Sequence, residues 1–301
     1  MKLWGSIALD DRKSYVLITP AKNEEKYIEK TLLSVVSQTM LPKRWVIVSD
    51  GSNDRTDEIV LDYCEEYDFI SLLRADAHNT RNFGSKVLAF RAGVERLRHL
   101  KYDFIGNLDA DVSFGHHYFE SLLKKFHEDK RLGVGGGRVL ELKKGVYKAP
   151  FGSKGRSVPG AIQMFRRECY EDIGGYIPLT LGGEDGVAEM MARMHKWNVE
   201  SFSDLEVIHH RSKSFGVGID ILRYRYRGGL RDYFMGYHPT FFLLKVFTRI
   251  IEKPYIIGTL FRLTGYCWAA ARGYKKEVPL ECISSIRKEQ ISRIKSALHL
   301  K

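Results

Sequence analysis

Four short apolar runs, YVLIT (15–19), WVIVSD (45–50), FISLL (69–73) and DFIGNLD (103–109), alternate with stretches of helical period. The segments between and after them, EKYIEKTLLSVVSQ, TDEIVLDYCEEY and GSKVLAFRAGVERL, place apolar residues three and four apart, and polar residues or glycine open each one. Strand-length runs that are apolar throughout need cover on both faces, and repeated strand, helix, strand supplies it. The expected fold class is therefore α/β, Rossmann-like, with a mostly parallel sheet flanked by helices. Ligands of such sheets sit beyond the carboxyl ends of the strands. The stretches to read for chemistry are thus TPAKNEE, SDGSNDRT and LDAD, which follow three of the runs.

With 301 residues and 44% hydrophobic side chains the chain can bury a large core. Its charge is uneven. Residues 211–301 hold 18 Lys+Arg and 6 Asp+Glu, an excess of +12, and the remaining 30 and 31 leave residues 1–210 at −1. The basic part also carries the apolar runs PTFFLLKVF and KPYIIGTLF, so we expect a sheet domain over 1–212 and a helical, basic C-terminal region over 213–301. Cys64, Cys169, Cys267 and Cys282 are far apart with no CxxC pair, which argues against a zinc site or a disulfide framework and for a reducing, cytoplasmic compartment. The apolar stretch 7–9 stops at Asp10 and Asp11, too short for a signal peptide.

Each strand end has a plain reading. SDGSNDRT serves as a turn with Asp54 or Thr56 capping a helix, and TPAKNEE as a helix start with Asn23 as cap and Glu24 and Glu25 at the positive end of the dipole. LDAD is different. Two carboxylates one residue apart, Asp109 and Asp111, repel each other unless they share a cation, and hard oxygen ligands suit Mg²⁺ or Mn²⁺ together with phosphates. The alternative is a solvated turn.

Taken in order, ITPAKNEEKYIEKTLLSVVSQ, VIVSDGSNDRTDEI, NFGSKVLAFRAG, YDFIGNLDADVSF, GGY and GGEDGVAEMMARMHKW resemble the family-2 glycosyltransferases of the GT-A fold, over about residues 13–212. The resemblance implies a nucleotide-sugar donor (UDP-, GDP- or dTDP-linked) and a Mn²⁺ or Mg²⁺ cofactor. It implies a nucleotide pocket lined by Pro20, Ala21, Asn23 and Glu24, with Asp50 near the base and Ser52 beside it. Asp109 would face the ribose or the metal and Asp111 would be the main ligand of the DxD motif, with Lys86 and Arg81 near the diphosphate. The family's ARNxG form is absent, since Phe90 and Arg91 precede Ala92 and Gly93, and no Asn contact is carried over. By the same resemblance Asp185 would be the general base, presented after Gly182 and Gly183, with Glu184 orienting it or touching an acceptor hydroxyl. Arg193 would pair with that carboxylate or face water. One base with no second nucleophile implies inversion at the anomeric carbon. His209 or His210 would complete the metal shell, the alternative being a structural histidine.

Other classes compete. RYRYRGGLRDYF interleaves Arg with Tyr as nucleic-acid surfaces do, yet the positive charge is confined to the segment richest in apolar runs, so no nucleic-acid partner is expected. A nucleotidyltransferase needs a glycine- and basic-rich triphosphate loop, which TPAKNEE is not. The stretch 140–160 is expected to be a loop over the donor or acceptor. In the tail, Leu243, Leu244, Val246, Phe247, Ile250 and Ile251 recur at helical spacing, interrupted by Lys245, Arg249 and Lys253. They point either to a lid or homodimer contact or to a basic amphipathic segment on the inner face of an anionic membrane, with a glycan or polyprenyl-linked acceptor.

Overall fold

The structure is a computed structural model, and it describes residues 14–75, 84–143, 145–149, 155, 157–211, 219–251 and 254–297. The elements run β1 (Tyr15–Ala21), α1 (Ile28–Val36), β2 (Arg44–Asp50), α2 (Thr56–Glu66), β3 (Ile70–Ala75), α3 (Gly84–Arg96) and β4 (Phe104–Leu108). There follow β5 (Val112–Phe114), α4 (Tyr118–Glu128), β6 (Leu132–Lys143), β7 (Val146–Lys148), β8 (Ile162–Arg166), α5 (Arg167–Asp172), α6 (Glu184–Met194) and β9 (Asn198–His209). Four helices close the chain: α7 (Ile219–Phe234), α8 (Pro239–Phe247), α9 (Tyr255–Ala271) and α10 (Leu280–Ala297).

The strands form one sheet in the order β3-β2-β1-β4-β8-β6-β9-β5, with β7 paired to β6. β1, β2, β3 and β4 pair in parallel. β8 runs against both β4 and β6, which returns β6 and its parallel partner β9 to the direction of the first four. Only β5, β7 and β8 oppose that direction, so the sheet is mostly parallel as the alternation of runs predicts. The expected loop at 140–160 begins differently. β6 continues to Lys143 and turns through Gly145, at φ +78°, into β7, a short hairpin that the sequence reading does not foresee.

The chain divides into two compact units. The first comprises Met1–His78, Ala89–Gly174 and Trp197–Arg211; the second comprises Asn79–Leu88, Gly175–Lys196 and Ser212–Lys301. A single cut at residue 212 does not reproduce this division, because the segment with α6 groups with the C-terminal helices.

The first unit's core lies between the sheet and its helices, with Leu17, Trp45, Ile47, Phe104, Phe119 and Phe126 almost fully buried. α1 buries Ile28, Thr31, Leu32 and Val35, the i, i+3, i+4, i+7 stripe that its sequence spells. Thr31 has a further role. Its hydroxyl donates to the Val112 carbonyl (2.8 Å) and accepts from the Val112 amide (3.1 Å), which fixes α1 to β5 one residue after Asp111. In the second unit α6 and α10 pack through Val187, Ile283 and Ile286.

Candidate active site

Because β1, β2 and β4 are parallel neighbours, their carboxyl ends share one rim. The β1–α1 and β2–α2 loops meet there and are stitched together by side chains. Asn23, at φ 56°, donates its amide to the Ser52 hydroxyl (3.2 Å), and its side-chain oxygen accepts from the Asn53 amide (2.9 Å). The Glu24 amide reaches Thr56 Oγ1 (2.7 Å) and the Glu25 amide reaches Asp54 Oδ2 (3.1 Å). Asp50, the last residue of β2 and 7% exposed, accepts from Lys22 Nζ at 3.3 Å. Pro20, Ala21, Asn23, Glu24, Asp50 and Ser52 thus come together. The helix-cap reading holds only at α2, where Asp54 accepts from the Thr56 amide (3.0 Å). α1 instead starts after Tyr27 with no side-chain cap, because Asn23 is turned to the β2–α2 loop.

Beside this rim stand the carboxylates of LDAD. One oxygen each of Asp109 and Asp111 and one ring nitrogen of His209 lie within 4.8 Å of one another. β9 brings His209 there by pairing it with Val112, so the strand end faces the residue after Asp111. His209 Nε2 is 3.1 Å from Asp111 Oδ1. His210 stands outside this group. Successive residues at a strand end point to opposite sides, and its Nε2 instead meets Ser113 Oγ at 2.8 Å while its ring stacks on Tyr27.

Arg211 is the residue the sequence reading missed. Its Nε donates to Asp111 Oδ2 (3.1 Å), its Nη2 donates to the Glu24 carboxylate, and its guanidinium lies over Tyr27. The guanidinium therefore joins the β1–α1 loop to Asp111. Burial pushes the Glu24 carboxyl up to about 7; Asp111 and Asp109 push the same way and Arg211 opposes them. The available signal was position alone, an Arg immediately after the paired histidines.

Two hard carboxylates with one imidazole in reach of a common point suit Mn²⁺, which accepts nitrogen more readily than Mg²⁺ does.

Glu184, Asp185 and Lys86 belong to the second unit. Gly182 and Gly183 take φ of 78° and 106°, conformations that side chains resist, and this turns the chain into α6 with both acids in its first turn. Asp185 Oδ1 accepts from the Gly186 amide at 2.8 Å. Glu184 is raised above the ordinary carboxylate range, first by burial and then by Asp185, while Lys86 pulls it down. Among the described residues its Oε2 is one of the few buried side-chain atoms with no hydrogen-bond partner. Lys86 is thus electrostatically tied to Glu184. Arg193 lies 3.7 Å from Glu189 and 4.0 Å from Glu289. Arg81 lies outside the described residues.

Known proteins resemble the chain in sequence and in fold. A poly-beta-1,6-N-acetyl-D-glucosamine synthase of Staphylococcus aureus is 25% identical over 186 residues, 56% of this chain and 43% of its own. A dolichyl-phosphate beta-glucosyltransferase of Trichomonas vaginalis is 38% identical over 117 residues, 36% of this chain and 34% of its own. The matches thus span less than half the length of these curated relatives. Among solved structures, a mannosyltransferase of Pyrobaculum calidifontis in complex with GDP-Man and Mn²⁺ is 18% identical. It shares the fold at a TM-score of 0.56 over 95% of this chain and 80% of that one. The model of glycosyl transferase family 2 matches residues 16–174, more than half of the sequence, and the chain belongs to that family.

Proposed function

We propose that this protein is an inverting, metal-dependent glycosyltransferase that moves a sugar from a nucleotide-sugar donor to a hydroxyl of a glycan or lipid-linked acceptor in cell-surface glycan synthesis. The observation that carries the reading is the grouping of Asp109, Asp111 and His209 beside the stitched loops of β1 and β2. Mn²⁺ or Mg²⁺ held by these three would stabilise the departing diphosphate as a Lewis acid.

The chain's own groups supply the rest. Asn23, Asp50 and Ser52 form a polar rim for the nucleotide, with Pro20 and Ala21 as its backbone wall. Arg211 is a ready partner for phosphate oxygens, because a guanidinium that now binds two carboxylates presents the same fork to a diphosphate. Lys86 and Arg81 are assigned to the diphosphate by family resemblance. Asp185 is assigned as the base that takes the proton from the acceptor hydroxyl. Glu184 is next in line, since its raised carboxyl and unpartnered oxygen favour proton transfer. The polysaccharide synthase and the dolichyl-phosphate transferase among the relatives, with the +12 charge of residues 211–301, support an acceptor at the inner face of an anionic membrane. A homodimer through the C-terminal helices is the competing use of that region.

The test is release of free nucleotide from a panel of UDP-, GDP- and dTDP-sugars, with Mn²⁺, with Mg²⁺ and with chelator. One donor should turn over only with metal, and NMR of the product should show inverted anomeric configuration. Equal release with chelator, or a retained anomer, contradicts the reading.

A further inference from the structure

Two of the C-terminal helices, α8 and α9, are built with their charges inside. α7 and α9 cross at glycines: a Cβ on Gly229 would stand 2.0 Å from the Arg262 carbonyl oxygen, and one on Gly265 would stand 2.2 Å from that of Tyr226. At this crossing Arg262, 3% exposed, donates from Nε (3.0 Å) and Nη2 (2.6 Å) to Asp232 Oδ2. Lys245 reaches Asp232 Oδ1 at 2.9 Å, so one buried carboxylate on α7 receives a cation from α8 and another from α9.

Those two cations are the only Lys, Arg, Asp or Glu side chains that α8 (PTFFLLKVF) and α9 (YIIGTLFRLTGYCWAAA) contain. With both turned inward, the outer faces of the two helices carry no formal charge. Leu244 and Phe247 on α8 are 45% and 59% exposed, and Ile256, Leu260 and Trp268 on α9 are 62%, 52% and 47% exposed. A helix of a water-soluble domain does the reverse, burying its apolar stripe and leaving long cations in solvent. Close glycine packing with polar groups inside and apolar groups outside is how helices associate in lipid. A continuous exposed apolar surface in water marks a binding site.

Charge at the margins identifies the occupant. Arg272 lies over the Trp268 ring at 4.6 Å, Lys275 follows it in solvent, and the whole region is strongly basic. An indole beside cations at the end of an apolar face is the pattern of the headgroup level of an anionic bilayer. α9 has 17 residues, about 25 Å at 1.5 Å per residue, short of a bilayer core of about 30 Å. Among the described residues no helix is long and apolar enough to cross a membrane. We infer that the outer face of α8 and α9 is a lipid-docking surface that lies in the plane of an anionic membrane and enters the boundary between headgroups and acyl chains. This inference rests on the membrane placement proposed above and specifies the element that makes it.

The test uses the full chain with phosphatidylcholine vesicles, with and without phosphatidylglycerol, at low and high salt. The protein should pellet with the anionic vesicles and stay partly bound at high salt, because apolar insertion survives screening. Brominated acyl chains should quench its tryptophan fluorescence, and Trp268→Phe should lose that quenching. The double variant Phe247→Asp/Leu260→Asp changes two exposed residues and should melt as wild type while losing vesicle binding by roughly tenfold or more, the scale expected for two apolar side chains leaving the acyl boundary. Pelleting that high salt abolishes, without quenching, leaves the membrane placement standing and overturns insertion by this face. No pelleting at all overturns both. A wild type that is dimeric by light scattering and unbound to vesicles, with a monomeric double variant, assigns the face to a second copy and likewise overturns the proposal. Metal-dependent nucleotide release without vesicles reports separately on the enzyme.

Discussion

Arg211 is where the residue-scale account is most exposed to test. It holds Asp111 and Glu24 in one cation's reach, so Arg211→Ala leaves Glu24, Asp109 and Asp111 facing one another with less compensation. In metal-free buffer the variant should lose roughly 1 kcal/mol, a modest figure because the guanidinium is half exposed and screened. Added Mn²⁺ should raise its melting temperature more than it raises that of wild type, since the ion no longer competes with the guanidinium for Asp111. Differential scanning calorimetry with and without Mn²⁺ reads both effects; an identical metal-induced shift in the two proteins contradicts the competition. The second residue-scale test is Asp185→Asn, which keeps shape and removes the base. Transfer should fall by roughly 10²-fold or more with donor affinity unchanged. Wild-type transfer rates would move the role to Glu184. Asp109 and Asp111 were legible in the sequence because two carboxylates one residue apart at a strand end repel unless they share a cation, which outweighs the solvated-turn alternative. Arg211 was not, because nothing in the letters HHR says that the third side chain turns back across the site.

At the scale of elements, the helices α7, α8 and α9 depend on the inward charges. The single carboxylate of Asp232 pairs with two cations, so Asp232→Asn leaves the buried Arg262 and the mostly buried Lys245 with no counter-charge and should cost about 3–5 kcal/mol. Lys245→Met leaves the neutral Arg262–Asp232 pair and should be nearly silent or stabilising at neutral pH. Burial holds Lys245 down to about 8 against its ordinary 10.5, with Asp232 pulling it back up. Between those values the unfolded chain binds the proton and the folded chain releases it, so stability contributed by this lysine rises with pH across that window and is level below it. Thermal unfolding at pH 7 and pH 9.5 measures this, and wild type should gain on Lys245→Met as pH rises. A gap that is constant with pH contradicts the burial of a charged Lys245. The periods of α1, α2 and α3 were legible from their stripes, since each buries one face against a sheet. The α8 and α9 sequences read equally as lid or membrane segment, because period says which residues share a face and not which face is inside. Which way Lys245 turns depends on Asp232, thirteen residues away in sequence.

For the whole molecule, the order of strands and helices followed from the alternation of runs, and the one rim that gathers three loops followed from the parallel sheet. The return of β9 between β6 and the edge strand β5 did not, since the pairing of His209 with Val112 is a contact across 97 residues that no local pattern encodes. Yet that pairing brings His209 to Asp109 and Asp111, and the proposed metal chemistry stands on it. Calorimetric titration of UDP and GDP into the full chain, with and without Mn²⁺, on wild type and Asp111→Ala, tests it most directly. Wild type should bind one of the two nucleotides at least about tenfold more tightly with Mn²⁺, roughly 1.4 kcal/mol. The variant should keep its circular dichroism spectrum, because a rim carboxylate supports no core packing, and should lose the metal dependence. Equal nucleotide affinity in both proteins, with and without Mn²⁺, would contradict the account.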